Sequence, residues 1–143
     1  MSNVRRHSQR VAHNSGMSIF LLCAGVLVVL YAGLSTNVSR MRLRKRTSGS
    51  GTDAELTKAI RAHGNASEYI PLFVALFLYF HSVQAGALLE GLAIAATLSR
   101  VLHAAGMFLI PSVAHRHPLR FLGALGTYIC LFVFGVDLLS RAL

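Results

Sequence analysis

A chain of 143 residues has room for one domain. It is 54% hydrophobic and only 13% charged, with a mean hydropathy of +0.56, whereas soluble domains carry about 25% charge. The composition therefore excludes an ordinary soluble domain and implies an integral membrane protein. The net charge of +9 does not imply a nucleic-acid partner, because Arg40, Arg42, Arg44, Lys45 and Arg46 cluster directly after the first apolar run, as juxtamembrane residues do.

A membrane span needs about 20 apolar residues. Four segments approach that length: 17–34, 69–83, 85–110 and 119–139. The expected organisation is a basic, mobile tail over residues 1–16 and a four-helix transmembrane domain over 17–143. Arg5, Arg6 and Arg10 before an apolar run imitate a signal peptide. The run lacks a clear small-residue cleavage site and a basic cluster follows it, so a retained first helix is expected, from about Met17 to about Ser39. After the flexible Thr47-Ser48-Gly49-Ser50-Gly51, Thr52-Asp53-Ala54-Glu55 reads as a capping box, which starts the second helix near Asp53. Gly64 and Pro71 fall inside this helix, and Pro71 cannot donate to the carbonyl of Ser67. A short uncharged turn over 81–86 leads to the third helix, which ends before Pro111. His115-Arg116-His117-Pro118 is a second polar loop, and the fourth helix carries Gly123, Ala124 and Gly126 as a small-residue face for close packing. Cys23 and Cys130 both fall in spans and read as packing residues. Counting Lys and Arg near the spans gives nine on the side of the two polar loops and four on the side of the termini. That asymmetry places both termini outside the cytoplasm.

The polar residues of the second helix carry the chemistry. Arg61, Asn65 and Glu68 are spaced i, i+4 and i+7, so they share one helix face at the mouth of a membrane span. Arg offers a planar donor fork, Asn a donor and an acceptor, and Glu an acceptor for an ammonium group. The set suits a small zwitterionic ligand with carboxylates and an amine. His63 and Tyr69 accompany it. An up-down bundle brings the same end of the third helix, with Arg100 and His103, and the start of the fourth, with Arg116 and Arg120, to this region. Arg100 lies about 15 Å from the end of its helix, too deep to reach water, so it is expected to pair with Glu68, to bind an anion, or both. Glu90 and Asp137 receive no catalytic role. The histidines lack ligand spacing for zinc, and no Gly-rich phosphate loop or nucleophile elbow occurs.

The run Arg61-Ala62-His63-Gly64-Asn65-Ala66-Ser67-Glu68-Tyr69-Ile70-Pro71-Leu72-Phe73 resembles the second-helix signature of the MAPEG family, the membrane-associated proteins in eicosanoid and glutathione metabolism. The span order, Arg-x-x-His at Arg100–His103 and Arg-x-x-Gly at Arg120–Gly123 agree, over roughly residues 15–142. The small bacterial members, with Ala-Ile-Arg-x-His-Gly-Asn-Ala before Glu-Tyr-Ile-Pro, look most similar. The resemblance implies an all-α membrane four-helix bundle, a homotrimer, and glutathione bound between neighbouring subunits near the cytoplasmic face of the inner membrane. It implies glutathione-contacting roles for Arg61, His63, Asn65, Glu68, Tyr69, Arg100 and His103. Met107 stands where many members have a second ligand-contacting Tyr. Arg116 and Arg120 are both candidates for the arginine that stabilises the thiolate, with Arg116 favoured by its spacing from Arg100.

The function so implied is a glutathione transferase or peroxidase acting on lipophilic electrophiles or hydroperoxides, with membrane lipids as the other partners. A non-catalytic binding or scaffold protein with the same fold is the alternative, favoured by Met107. A small four-helix multidrug transporter is expected to carry an essential Glu in its first helix, and no charge occurs between Met17 and Asn37.

Overall fold

The computed structural model describes residues 18–47, 53–109 and 117–143. Among them are four helices: α1 (Ile19–Lys45), α2 (Ala54–Ser82), α3 (Ala87–Leu109) and α4 (Pro118–Ala142). The chain is thus an all-α membrane bundle. By length and composition α1, α3 and α4 can each cross a membrane. α2 is the longest, at 29 residues, but its first half is polar and only its second half is apolar. The expected tail over 1–16 and the loop holding Arg116 lie outside the described residues.

Local chemistry sets the helix ends. Ser18 caps α1 by accepting from the backbone N–H of Leu21. The first helix does not stop near Ser39 but runs to Lys45, because Arg, Met, Leu and Lys are all good helix formers. Cations in its last turn (Arg42, Arg44, Lys45) also favour the negative end of the helix dipole. Arg46 closes it in the left-handed region, at φ 49°, with its N–H turned back to the carbonyls of Arg42 and Leu43. The basic cluster is therefore helical and not a loop. In α2 the cap is Asp53, not Thr52: its Oδ1 accepts from the N–H of Leu56 at 2.7 Å. Its other oxygen binds Lys45 Nζ, which joins the end of α1 to the start of α2. α4 opens with His117 as cap and Pro118 in the first turn, where a missing N–H costs nothing.

Packing divides the bundle into two hairpins, α1–α2 and α3–α4, with α3 also against α1 and α2. At one end the core is aromatic. Phe73, Phe77 and Phe80 of α2 and Phe134 of α4 are fully buried, and their rings meet at 5.2–6.5 Å. At the other end α2 buries Leu56 in its first turn and then only Ala59, Ala62 and Ala66 before Ile70, so the stretch between Leu56 and Ile70 is not filled by large side chains. Small residues join α3 to α4. A Cβ on Gly123 would sit 2.5 Å from the backbone N of His103, and one on Gly106 would sit 2.5 Å from the backbone N of Arg120. The expected small-residue contact at Gly123 and Gly126 is present, and Gly106 answers it from α3. α2 and α4 meet through the aromatic rings but part toward the polar end, and the space between them there is the candidate site.

Candidate functional site

A groove of about 1280 Å³ opens between α2 and α4. Ile60, Arg61, Gly64, Asn65 and Glu68 form one wall, and Arg120, Phe121, Ala124 and Tyr128 the other. His103 and Met107 of α3 lie between them, and His117 and Pro118 stand at the polar end. The i, i+4, i+7 face read from the sequence is this α2 wall. Arg61 and Glu68 are exposed in it, and neither makes an ion pair among the described residues. Gly64 adds no bulk, since a Cβ there would meet nothing within 4 Å.

Arg100 lies under the groove at 1% exposure. It does not pair with Glu68. Its Nη2 donates to Asn65 Oδ1 at 2.7 Å, its Nη1 donates to Thr127 Oγ1 at 3.4 Å, and its guanidinium lies over the Tyr69 ring at 5.2 Å. Its Nε is buried and has no hydrogen-bond partner among the described residues. The depth of Arg100 was legible, but its partner depends on α3 facing Asn65, one turn before Glu68, and on Thr127, which the sequence did not mark. A buried cation held only by neutral groups is costly, and the spare donor suits an anionic ligand.

His103 is buried, and its Nδ1 lies 3.0 Å from the carbonyl oxygen of Arg120. A carbonyl can only accept, so Nδ1 carries the hydrogen and the neutral ring keeps Nε2 as its acceptor. This bond, with the backbone contact at Gly106, fixes the first turn of α4 against α3. It thereby places Arg120 in the groove.

The structure brings Arg61, Asn65, Glu68, His103 and Arg120 to the groove, with Arg100 and Tyr69 directly behind it. It does not bring His63, whose ring stacks on Tyr31 of α1 at 5.1 Å. Arg116 lies outside the described residues. Sequence reading missed Phe121, Ala124, His117 and Tyr128. The spacing Arg120, Ala124, Tyr128, at i, i+4 and i+8, was the available signal. Among the described residues no cluster of three His, Cys, Asp or Glu side chains could hold a metal.

Residues 20–140 match the sequence model of the MAPEG family. The chain belongs to the MAPEG family. It is also similar to the inner membrane protein YecN of Escherichia coli strain K12 and to the protein of the same name in Escherichia coli O6:H1. Each is 42% identical over 59 residues, which cover 41% of this chain and 45% of the relative. The chain thus spans less than half the length of these curated relatives. MAPEG membership makes it a membrane protein of the family associated with eicosanoid and glutathione metabolism.

Proposed function

We propose that this MAPEG protein binds glutathione in the α2–α4 groove and joins its thiol to lipophilic electrophiles, or uses it to reduce lipophilic hydroperoxides. The observation that carries the reading is the pairing of Arg61 and Glu68, exposed in the groove, with a buried Arg100, none of the three in an ion pair among the described residues. Glutathione has two carboxylates, an ammonium group and a thiol. Arg61 and Arg100 supply donors for the carboxylates and Glu68 an acceptor for the ammonium. Asn65 is held by Arg100 and offers its amide N–H groups to the peptide.

Arg120 stands at the other wall, and Arg116 in the preceding loop shares the candidacy. A cation beside the sulfur favours the thiolate, which is the nucleophile. In the transferase reaction the thiolate forms a C–S bond as the electrophile's leaving group departs or its double bond takes up a proton. In the peroxidase reaction the thiolate attacks the distal peroxide oxygen, the O–O bond breaks, and an alcohol leaves with a proton. A second glutathione then converts the sulfenic acid to the disulfide and water.

Calorimetry in detergent tests the reading. The wild type binds glutathione, and Arg61→Ala and Glu68→Ala each weaken it ten-fold or more, since a charge-assisted hydrogen bond contributes about 1.5–3 kcal/mol. A wild type that binds none removes the reading. Binding untouched by both substitutions makes these residues structural. The second reading, a binding or scaffold protein, is favoured by Met107, an apolar thioether on the groove where many relatives have Tyr. Glutathione binding with no turnover of any electrophile or hydroperoxide selects it. The reading also includes a homotrimer in the bacterial inner membrane, with both termini outside the cytoplasm and a neighbouring subunit against the groove. A stable monomer or dimer in native mass spectrometry counts against that assembly.

A further inference from the structure

We infer that Tyr128 sets the second-substrate specificity of the groove, recognising a hydrogen-bond-accepting oxygen on a lipophilic chain about 12 Å from its reacting end. The inference rests on the groove being the site proposed above. Arg120, Ala124 and Tyr128 lie on one face of α4 and all line the groove. Eight residues at about 1.5 Å each set the spacing between the cation and the phenol. Between them the α4 wall is Phe121 and Ala124, with Met107 on α3, while Arg61, Asn65 and Glu68 face the groove from α2. On the α4 side this stretch offers an alkyl chain contact.

Tyr128 lies at apolar depth. Its neighbours on α4, Leu125, Ile129 and Phe132, are 44%, 53% and 73% exposed, as lipid-facing residues are. A hydroxyl in such surroundings is costly unless it is bonded. Its polar neighbour is Tyr69: the two rings are 5.9 Å apart and tilted by 58°. Two phenols carry two O–H donors, and a single bond between them uses one. Among the described residues no third group accepts the other. Arg100, behind Tyr69, can only donate. Tyr69 is half-buried under that guanidinium, whereas Tyr128 is 52% exposed. A ligand in the groove therefore meets the pair at Tyr128, and the complementary group is a carbonyl, hydroxyl or epoxide oxygen.

Two chain-matched 2-alkenals test this, one plain and one with a keto group at that distance from the aldehyde. Each competes with a fluorescent fatty acid bound to the full-length protein in nanodiscs. On the wild type the keto chain displaces the probe roughly five- to ten-fold more strongly, the range of one neutral hydrogen bond. Tyr128→Phe keeps the ring against Tyr69 and removes the preference. Equal displacement from the wild type, a preference that survives Tyr128→Phe, or a probe that neither chain displaces overturns the inference. The assay needs no glutathione. A wild type that binds none yet keeps the Tyr128-dependent preference supports this inference and overturns only the earlier reading.

Discussion

α4 has two long sides, and the chain treats them in opposite ways. Toward α3 it presents Gly123 and Gly126, and Gly106 answers, so the backbones meet where any Cβ would collide. Toward α2 it presents Arg120, Phe121, Ala124 and Tyr128 across open space, and the facing glycine, Gly64, has nothing within 4 Å. Glycine weakens both helices by about 1 kcal/mol relative to Ala. At the seam that cost is offset by dispersion contacts and close approach, which drive helix association in lipid where apolar burial drives little. At the groove no packing offsets it. On the function proposed above, this glycine, flanked by Arg61, Asn65 and Glu68, leaves room for the ligand.

The largest expected effect breaks the seam. Gly123→Ala places a methyl 2.5 Å from the backbone N of His103 and 2.6 Å from the carbonyl oxygen of Ser99. Neither is the flexible end of a side chain, so α3 and α4 must separate. Overpacking of this kind costs about 1–3 kcal/mol, and here the upper end is expected. Thermal unfolding in detergent, followed by circular dichroism, should show a clear loss of stability. Unchanged stability would mean that the two backbones do not meet here. Because the His103–Arg120 bond lies in the same seam, glutathione affinity should fall as well.

Gly64→Leu tests the other side with the opposite sign for stability. Leu is the better helix former by close to 1 kcal/mol, and its side chain enters open space, so the protein should melt no lower than the wild type. The same side chain fills the groove between Arg61 and Glu68, and glutathione affinity should fall at least ten-fold by calorimetry. Full affinity in this variant would show that the ligand lies elsewhere.

These two glycines also show what was legible in the sequence. The α2 face was readable because it is local: at about 100° per residue, Arg61, Gly64, Asn65 and Glu68 fall together whatever else the chain does. His63 comes two residues after Arg61, about 200° around the helix, and its stacking on Tyr31 follows from the same geometry. The helix order, the start of α2 near Asp53 and the close contact at Gly123 and Gly126 were likewise set by short patterns. The partner of Arg100 was not. Choosing Asn65 and Thr127 over Glu68 depends on the rotation of three helices about their axes, which no short pattern encodes. The end of α1 was missed for a different reason. Loss of apolarity marks the edge of the membrane, and Arg, Lys and Met continue a helix beyond it.

The smallest effect concerns how the α2 wall is held at its polar end. No glycine contact acts there, and an exposed ion pair does: the Asp53 carboxylate binds Lys45 of α1 while capping α2 through the N–H of Leu56. The Lys45 bond first, and the Leu56 N–H next, hold the Asp53 carboxyl below its ordinary value of 3.8. A carboxyl lowered in the folded state binds fewer protons there than in the unfolded chain. Its contribution is therefore complete above 3.8 and is lost as the pH falls through the lower folded value. The groups are in water, so the effect is local and salt-sensitive. Acidification through that window should lower the amide-exchange protection, taken relative to the intrinsic rate at each pH, of the first turn of α2 and the end of α1, with Leu56 as the reporter. Asp53→Asn keeps a good cap but removes the charge, so its exchange protection at Leu56 should not change across the same window. A wild type equally insensitive to pH would assign the whole tie to the cap. The α1–α2 corner would then be held by the same neutral, local geometry that closes the α3–α4 seam.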